Sequence, residues 1–213
     1  MSTTATPPPF ILLLNSFPGV GKLTIARNIR DLLSQATTGP VTGPQIRLLD
    51  NHIIIDLVSA IEPKRNADHH RLRKACRDLA FSALQLPLDD LVILMTSCLS
   101  ETEEGRDQFE EILAIAQARS CPMVVVNLVC ELEENGRRVE CEERKKSVDG
   151  IEKGKLTDRG LLEKFHAEYE LLDLGRLDGG AVRLLCGELE TTNLSAQAAT
   201  EMVWALLRKE LGF

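Results

Sequence analysis

The sequence predicts a three-layer α/β/α sandwich on a five-stranded, mostly parallel sheet, and three observations lead there. Short runs rich in branched residues recur five times, segments with helical apolar spacing separate them, and the residues suited to chemistry stand just after the runs. Buried parallel strands read as continuous apolar runs, and the crossovers between them need helices that cover both sheet faces.

The first strand is expected at Phe10–Asn15, after a leader over residues 1–9 whose three prolines suit a disordered, extended entry. The next helix follows a glycine turn and presents Ile25, Ala26, Ile29, Leu32 and Leu33 on one face. A turn-rich loop, Gly39 to Gly43, leads into the second strand at Ile46–Asp50. A basic stretch with Lys64, Arg65, Arg71, Arg73, Lys74 and Arg77 then reads as the wet face of a helix. Its apolar positions are Leu72, Ala75, Cys76, Leu79 and Ala80. The third strand is read at Leu91–Thr96, a helix through Phe109, Ile112, Leu113 and Ala116, and the fourth strand at Met123–Val129. The fifth strand is placed at Val182–Cys186. A last helix is capped by Ser195 and expected to bury Ala199, Met202, Val203, Leu206 and Leu207.

At 213 residues the chain suits one domain, read here as residues 10–213. A net charge of -7 argues against duplex nucleic acid as a partner, because phosphate contacts need a basic face. The six cysteines are scattered without a C-x-x-C pair, so they read as reduced thiols. The start lacks a basic n-region, and the run Phe10 to Leu14 is too short to span a bilayer. These features predict a cytoplasmic protein, a monomer or homodimer, with no membrane partner.

The strongest chemical signal lies between the first strand and its helix, at Ser16-Phe17-Pro18-Gly19-Val20-Gly21-Lys22-Leu23-Thr24. Glycines 19 and 21 let the backbone wrap so that successive N–H groups point at phosphate oxygens, and the helix N-terminus adds its positive end. Lys22 supplies a full charge. Two positions depart from G-x-x-x-x-G-K-[ST]: Ser16 replaces the first glycine, and Leu23 follows the lysine where a hydroxyl usually stands. Thr24 is the nearest hydroxyl for a Mg²⁺ ion.

The run from Pro18 to Thr24 resembles the P-G-x-G-K-x-T form of adenylate-kinase-like P-loop kinases. Further stretches are similar to landmarks of an uncharacterised family of AAA-labelled small P-loop proteins: Leu48 to His52, Cys98 to Ser100, Glu134 to Arg138, Glu143-Arg144 and Lys155 to Asp158. That family is in turn similar to chloramphenicol phosphotransferase, shikimate kinase and zeta-toxin kinases. The resemblance spans roughly residues 10 to 205 and implies a kinase-type P-loop fold with a helical lid, and ATP as phosphate donor.

On the acceptor side, Asp50 ends the second strand and suits a carboxylate that orients an acceptor hydroxyl; the same position also suits a helix N-cap. The family carries a histidine there, in a His-Asn-His pattern. Asn51 and His52 keep the rest of that pattern and are candidate substrate contacts. The third strand ends in Thr96-Ser97 and lacks the metal-binding aspartate of other P-loop proteins.

From Glu131 to Lys146, 11 of 16 residues are charged, which fits a solvated helix or a lid. The resemblance favours the lid, over about 131–157, with Arg138 and Arg144 closing on the transferring phosphoryl group and Arg137 on the nucleotide. Lys153 and Lys155 are lesser candidates. Glu190 to Asn193 would border the nucleotide base.

The expectation is an ATP- and Mg²⁺-dependent phosphotransferase acting on a small-molecule hydroxyl. Lys22, Asp50, Arg138 and Arg144 would be its catalytic residues, with Ser16, Pro18, Gly19, Val20, Gly21, Lys22, Leu23, Thr24 and Arg137 on the nucleotide. The competing expectations are a nucleotide-binding regulatory or scaffolding protein, and a simple ATPase.

Overall fold

The computed structural model describes residues 6–36, 44–86, 90–141 and 156–213. Five strands, β1 (Ile11–Asn15), β2 (Gln45–Asp50), β3 (Leu91–Ser97), β4 (Met123–Val129) and β5 (Leu184–Glu190), form one sheet in the order β2-β3-β1-β4-β5. Every pairing is parallel. The helices are α1 (Lys22–Ala36), α2 (Asn51–Ile61), α3 (Ala67–Leu84), α4 (Glu103–Arg119), α5 (Leu132–Glu140), α6 (Arg159–Glu168) and α7 (Ala196–Leu211).

Strand β1 is apolar on both sides because both sides are covered. Phe10, Leu12 and Leu14 pack with α1 and α7 through Ile25, Ile29, Val203 and Leu207. Ile11 and Leu13 face α3 and α4 through Phe81, Phe109, Ile112 and Ala116. At full burial such side chains contribute about 1.5–3 kcal/mol each, so this central strand anchors the loop that leaves its carboxyl end. The chain passes from β1 over β3 to β2, and later from β3 over β1 to β4. A crevice therefore opens between the carboxyl ends of β1 and β3, where open α/β sheets bind ligands.

The strand ends are fixed by polar side chains. Asn15 donates to the Leu99 carbonyl (3.1 Å) and to Asn127 Oδ1 (3.0 Å), and accepts from the Leu99 amide (2.6 Å). Asn127 donates in turn to the Leu172 carbonyl (2.9 Å). This buried network sets the floor of the crevice, and its members satisfy one another as burial requires.

Four expectations are corrected. Strand β5 begins at Leu184 and runs to Glu190, because it pairs with β4 along its whole length as a half-exposed edge strand; Val182 sits in the preceding turn. Met202 is half exposed, on the outer side of α7. In α3 the buried residues are His69, Arg77 and Phe81, while Leu79 faces solvent. The basic face is thus partly internal: His69 is fully buried, with Nδ1 2.7 Å from the Glu62 carbonyl. Finally, Pro7 is buried, so the leader packs on the domain at least from that residue.

Candidate functional site

The loop from Ser16 to Gly21 lies at the crevice, between β1 and α1. Gly19 (φ +95°) and Gly21 (φ +109°) both take conformations that side-chain-bearing residues rarely adopt, which lets the loop curl. Gly19 has a second reason to lack a side chain: a Cβ there would stand 2.4 Å from Val139 Cγ2 and 2.6 Å from Asn135 Oδ1. Helix α5 therefore lies directly on the loop. Lys22 folds back, its ammonium donating to the Ser16 carbonyl (2.7 Å), Ser16 Oγ (2.9 Å) and the Phe17 carbonyl (3.0 Å). The Ser16 hydroxyl at the first glycine position thus holds the lysine.

Arg138 joins three segments. Its guanidinium donates to the Val20 carbonyl (3.4 Å) in the loop, to the Thr191 and Thr192 carbonyls (2.7 and 3.0 Å) after β5, and to Glu134 (2.8 Å) one turn back on α5. Arg137 and Arg138 together hold the Glu134 carboxyl down at about 2, well below the usual carboxylate range. Arg137 itself extends into solvent, 79% exposed, and pairs with Glu134 rather than turning to the crevice. The α5 sequence is amphipathic, so Arg137 and Arg138, one residue apart, point in different directions.

A cavity of about 260 Å³ lies between the loop and α7, lined by Gly19, Gly21, Thr24, Arg138, Thr191 and Ala196 among others. The Thr191 amide bonds the Val129 carbonyl (2.8 Å) and the Ser195 hydroxyl caps α7 through Ala198 N (3.1 Å), so this wall is fixed. Thr24 lines the cavity. Leu23, expected on the nucleotide with the rest of the loop, is not among the residues that line it.

Across the crevice, strand register places Asp50 beside Thr96, the Cα partners that end β2 and near-end β3. The Thr96 hydroxyl donates to Asp50 Oδ1 in a short contact and accepts, at 3.4 Å, from the Asn51 amide. Asp50 is the residue before α2 but makes no side-chain cap bond, so its carboxylate is held by Thr96 instead. It is 8% exposed. Asn51 and His52 form the first turn of α2, both half-buried. Cys98 is exposed just past β3.

Helix α5 is braced from outside. Asn135, fully buried, has Nδ2 3.2 Å from His166 Nε2, and the His166 ring lies tilted against Phe17 of the loop, with ring centroids 4.2 Å apart. Arg159 bridges Glu133 on α5 and Glu163 on α6. Residues 131–141 thus form a wall docked on the loop; Arg144, Lys153 and Lys155 lie outside the described residues. Sequence reasoning missed Glu134, Asn135, Val139 and His166 as parts of this site. Glu134 carried a local signal, its spacing of three and four residues to Arg137 and Arg138, and Asn135 lay in the same family-like stretch; Val139 and His166 carried none.

Chains of similar architecture are known. A gluconokinase from Sinorhizobium meliloti 1021 aligns over 98% of this chain and 96% of its own, with 14% identity and a TM-score of 0.56. Kti12 of Chaetomium thermophilum, in complex with ADP-AlF3, aligns over 92% and 98%, with 17% identity and a TM-score of 0.57. The protein APE1195 aligns over 97% and 98%, with 17% identity and a TM-score of 0.58. The three share the fold of this chain, helices on both faces of a five-stranded parallel sheet. Neither a family model nor a curated protein matches the chain by sequence, so the likeness is one of fold. Among the described residues, no helix is long and apolar enough to cross a membrane.

Proposed function

We propose that the chain binds ATP in the cavity beside the glycine loop and transfers its γ-phosphate to a hydroxyl of a small molecule. The observation that carries this reading is the pairing of two fixed walls: a glycine loop with a folded-back lysine on one side, and a buried carboxylate, Asp50, on the other. The same architecture in Kti12 holds ADP-AlF3, and a gluconokinase shares it. The residues fit a nucleotide. The two glycines free the loop amides to face oxygen atoms, and Lys22, now resting on loop carbonyls, has the reach and charge to turn to phosphate.

Arg138 would flank the nucleotide where loop, α5 and the β5–α7 connection meet, rather than close from a mobile lid. Asp50 would accept a hydrogen bond from the acceptor hydroxyl and aim its oxygen, while Thr96 keeps the carboxylate in place. A divalent ion would neutralise phosphate charge, and Thr24 is the protein oxygen on the cavity wall suited to it, directly or through water. Such catalysis rests on positioning and charge stabilisation, which these residues supply.

A nucleotide-binding module without turnover is the second reading. It is favoured by Leu23 after the lysine and by the absence of an acidic residue at the end of β3, where Thr96 and Ser97 stand. One experiment separates the two: ATP consumption with Mg²⁺ across a panel of hydroxylated metabolites, for the wild type and Lys22→Ala. The kinase reading expects acceptor-stimulated turnover that falls about a hundredfold or more in the variant. Tight ATP binding with no turnover on any acceptor favours the module, and no ATP binding overturns both.

A further inference from the structure

Ser16 stands where P-loop sequences carry their first glycine. The backbone does not require a glycine there. The positive φ angles of the loop fall at Gly19 and Gly21, and Ser16 is not among the residues that share them, so its conformation suits any side chain. Its amide donates to the Ser97 carbonyl at the end of β3 (3.2 Å), which ties the start of the loop to the sheet. The residue is fully buried.

The Ser16 hydroxyl therefore has a bonding role. It donates to the Phe17 carbonyl (2.9 Å) and accepts from the Lys22 ammonium (2.9 Å). Lys22 also donates to the Ser16 and Phe17 carbonyls, at 2.7 and 3.0 Å. An ammonium has three hydrogens, and these three loop oxygens are enough to engage them all. A phosphate oxygen reaches Lys22 only by displacing one of them.

The two carbonyls belong to the backbone and are present whatever residue stands at position 16. The hydroxyl is the acceptor that this sequence adds. Once Lys22 turns away, Ser16 Oγ is a buried oxygen that has lost a charged partner, which costs free energy. That cost opposes every ligand that recruits the lysine.

We propose that Ser16 is a positioning residue, which competes with phosphate for Lys22 and lowers the affinity of the loop for nucleoside polyphosphates. Ser16 has this role only if the loop binds nucleotide, the reading proposed above. The effect is selective, because the lysine of such a loop serves the β- and γ-phosphates. A nucleoside monophosphate offers neither and escapes the competition.

The test is calorimetry of ATP and AMP binding, with Mg²⁺, to the full chain as wild type and as Ser16→Ala. Alanine removes the hydroxyl at a backbone conformation that it accepts. The variant is expected to bind ATP about fivefold or more tighter, with AMP affinity unchanged. Should Ser16→Ala fail to fold, Ser16→Gly carries the residue usual at this position and gives the same comparison. Equal or weaker ATP binding in the variant overturns the role of Ser16 and leaves the nucleotide reading standing. An equal gain for ATP and AMP also overturns it, since the hydroxyl would then shape the loop rather than hold the lysine. ATP binding to neither chain overturns the nucleotide reading and the role of Ser16 with it.

Discussion

On the glycine-loop wall of the cleft, Arg138 ties Val20 to Thr191 and Thr192, and Asn135 and Val139 press against Gly19; on the far wall, α2 turns Ile53, Leu57 and Ile61 to solvent. One wall is interlocked at the scale of single atoms, while the other joins the sheet through one face and leaves an apolar stripe open. The difference teaches where preorganisation resides. On the proposed reading phosphate binding demands fixed amides, so the loop wall, as donor wall, admits little change, and the α2 wall, as acceptor wall, tolerates change on its outer side.

The sharpest way to break this comparison is to add one methyl group to the donor wall. Gly19→Ala combines a positive φ with a 2.4 Å clash, and is expected to cost about 2–4 kcal/mol in chemical denaturation. Gly21→Ala has a similar φ but no neighbour within 4 Å, so only strain remains, about 1–2 kcal/mol. Equal losses in the two variants would mean that α5 does not rest on the loop.

Arg138→Ala tests the tie across the same wall. It removes donors from Val20, Thr191 and Thr192 together, and is expected to weaken ATP binding about tenfold or more in calorimetry. Arg137→Ala, from an exposed position, serves as the matched control with near-unchanged affinity.

A pH titration sharpens how α5 is held. Burial keeps the His166 imidazole below its ordinary value, so the folded chain binds this proton more weakly than the unfolded chain. Its contribution to stability is fully present above the ordinary value of 6.5 and is lost as pH falls through the lowered folded value. Between about pH 7.5 and about pH 5.5, the urea midpoint of the wild type is expected to fall more than that of His166→Gln, which cannot titrate. The Glu134 carboxyl, held at about 2, acts in a different window: its stabilisation is present above the ordinary carboxylate value and lost as pH drops toward about 2. Parallel pH curves for wild type and variant would detach His166 from the bracing of α5.

What the sequence made legible follows from the range of the interactions. The glycine loop, α1 and the first four strands are local patterns, and their positions in the chain held to within about one residue of the expected ends. Asp50 was legible as a strand-end carboxylate, but its bond to Thr96 depends on the register between β2 and β3, 46 residues apart. The docking of Asn135 and His166 onto Phe17 and Gly19 likewise comes from the packing of α5 and α6, which no local spacing encodes. Strand β5 was misplaced for a related reason. As an edge strand with Gly187, Glu188 and Glu190 it lacks the apolar run that marks the buried strands.

The smallest effect probes the outer face of α3, which packs beside α2. Apolar spacing alone put Leu79 on the inner face of α3, whereas the helix buries Arg77 and Phe81 and leaves Leu79 74% exposed. Leu79→Ser is therefore expected to change stability by less than about 0.5 kcal/mol, as surface substitutions do. Phe81→Ala, two residues on, should cost about 3–5 kcal/mol, because it empties a packed position against the sheet. If Leu79→Ser instead costs above about 1 kcal/mol, and the loss grows with protein concentration, then a second copy of the chain covers this face in solution. The exposure of this face of α3 would then belong to the isolated chain alone, and the same concentration series on Leu57→Ser would ask it of α2.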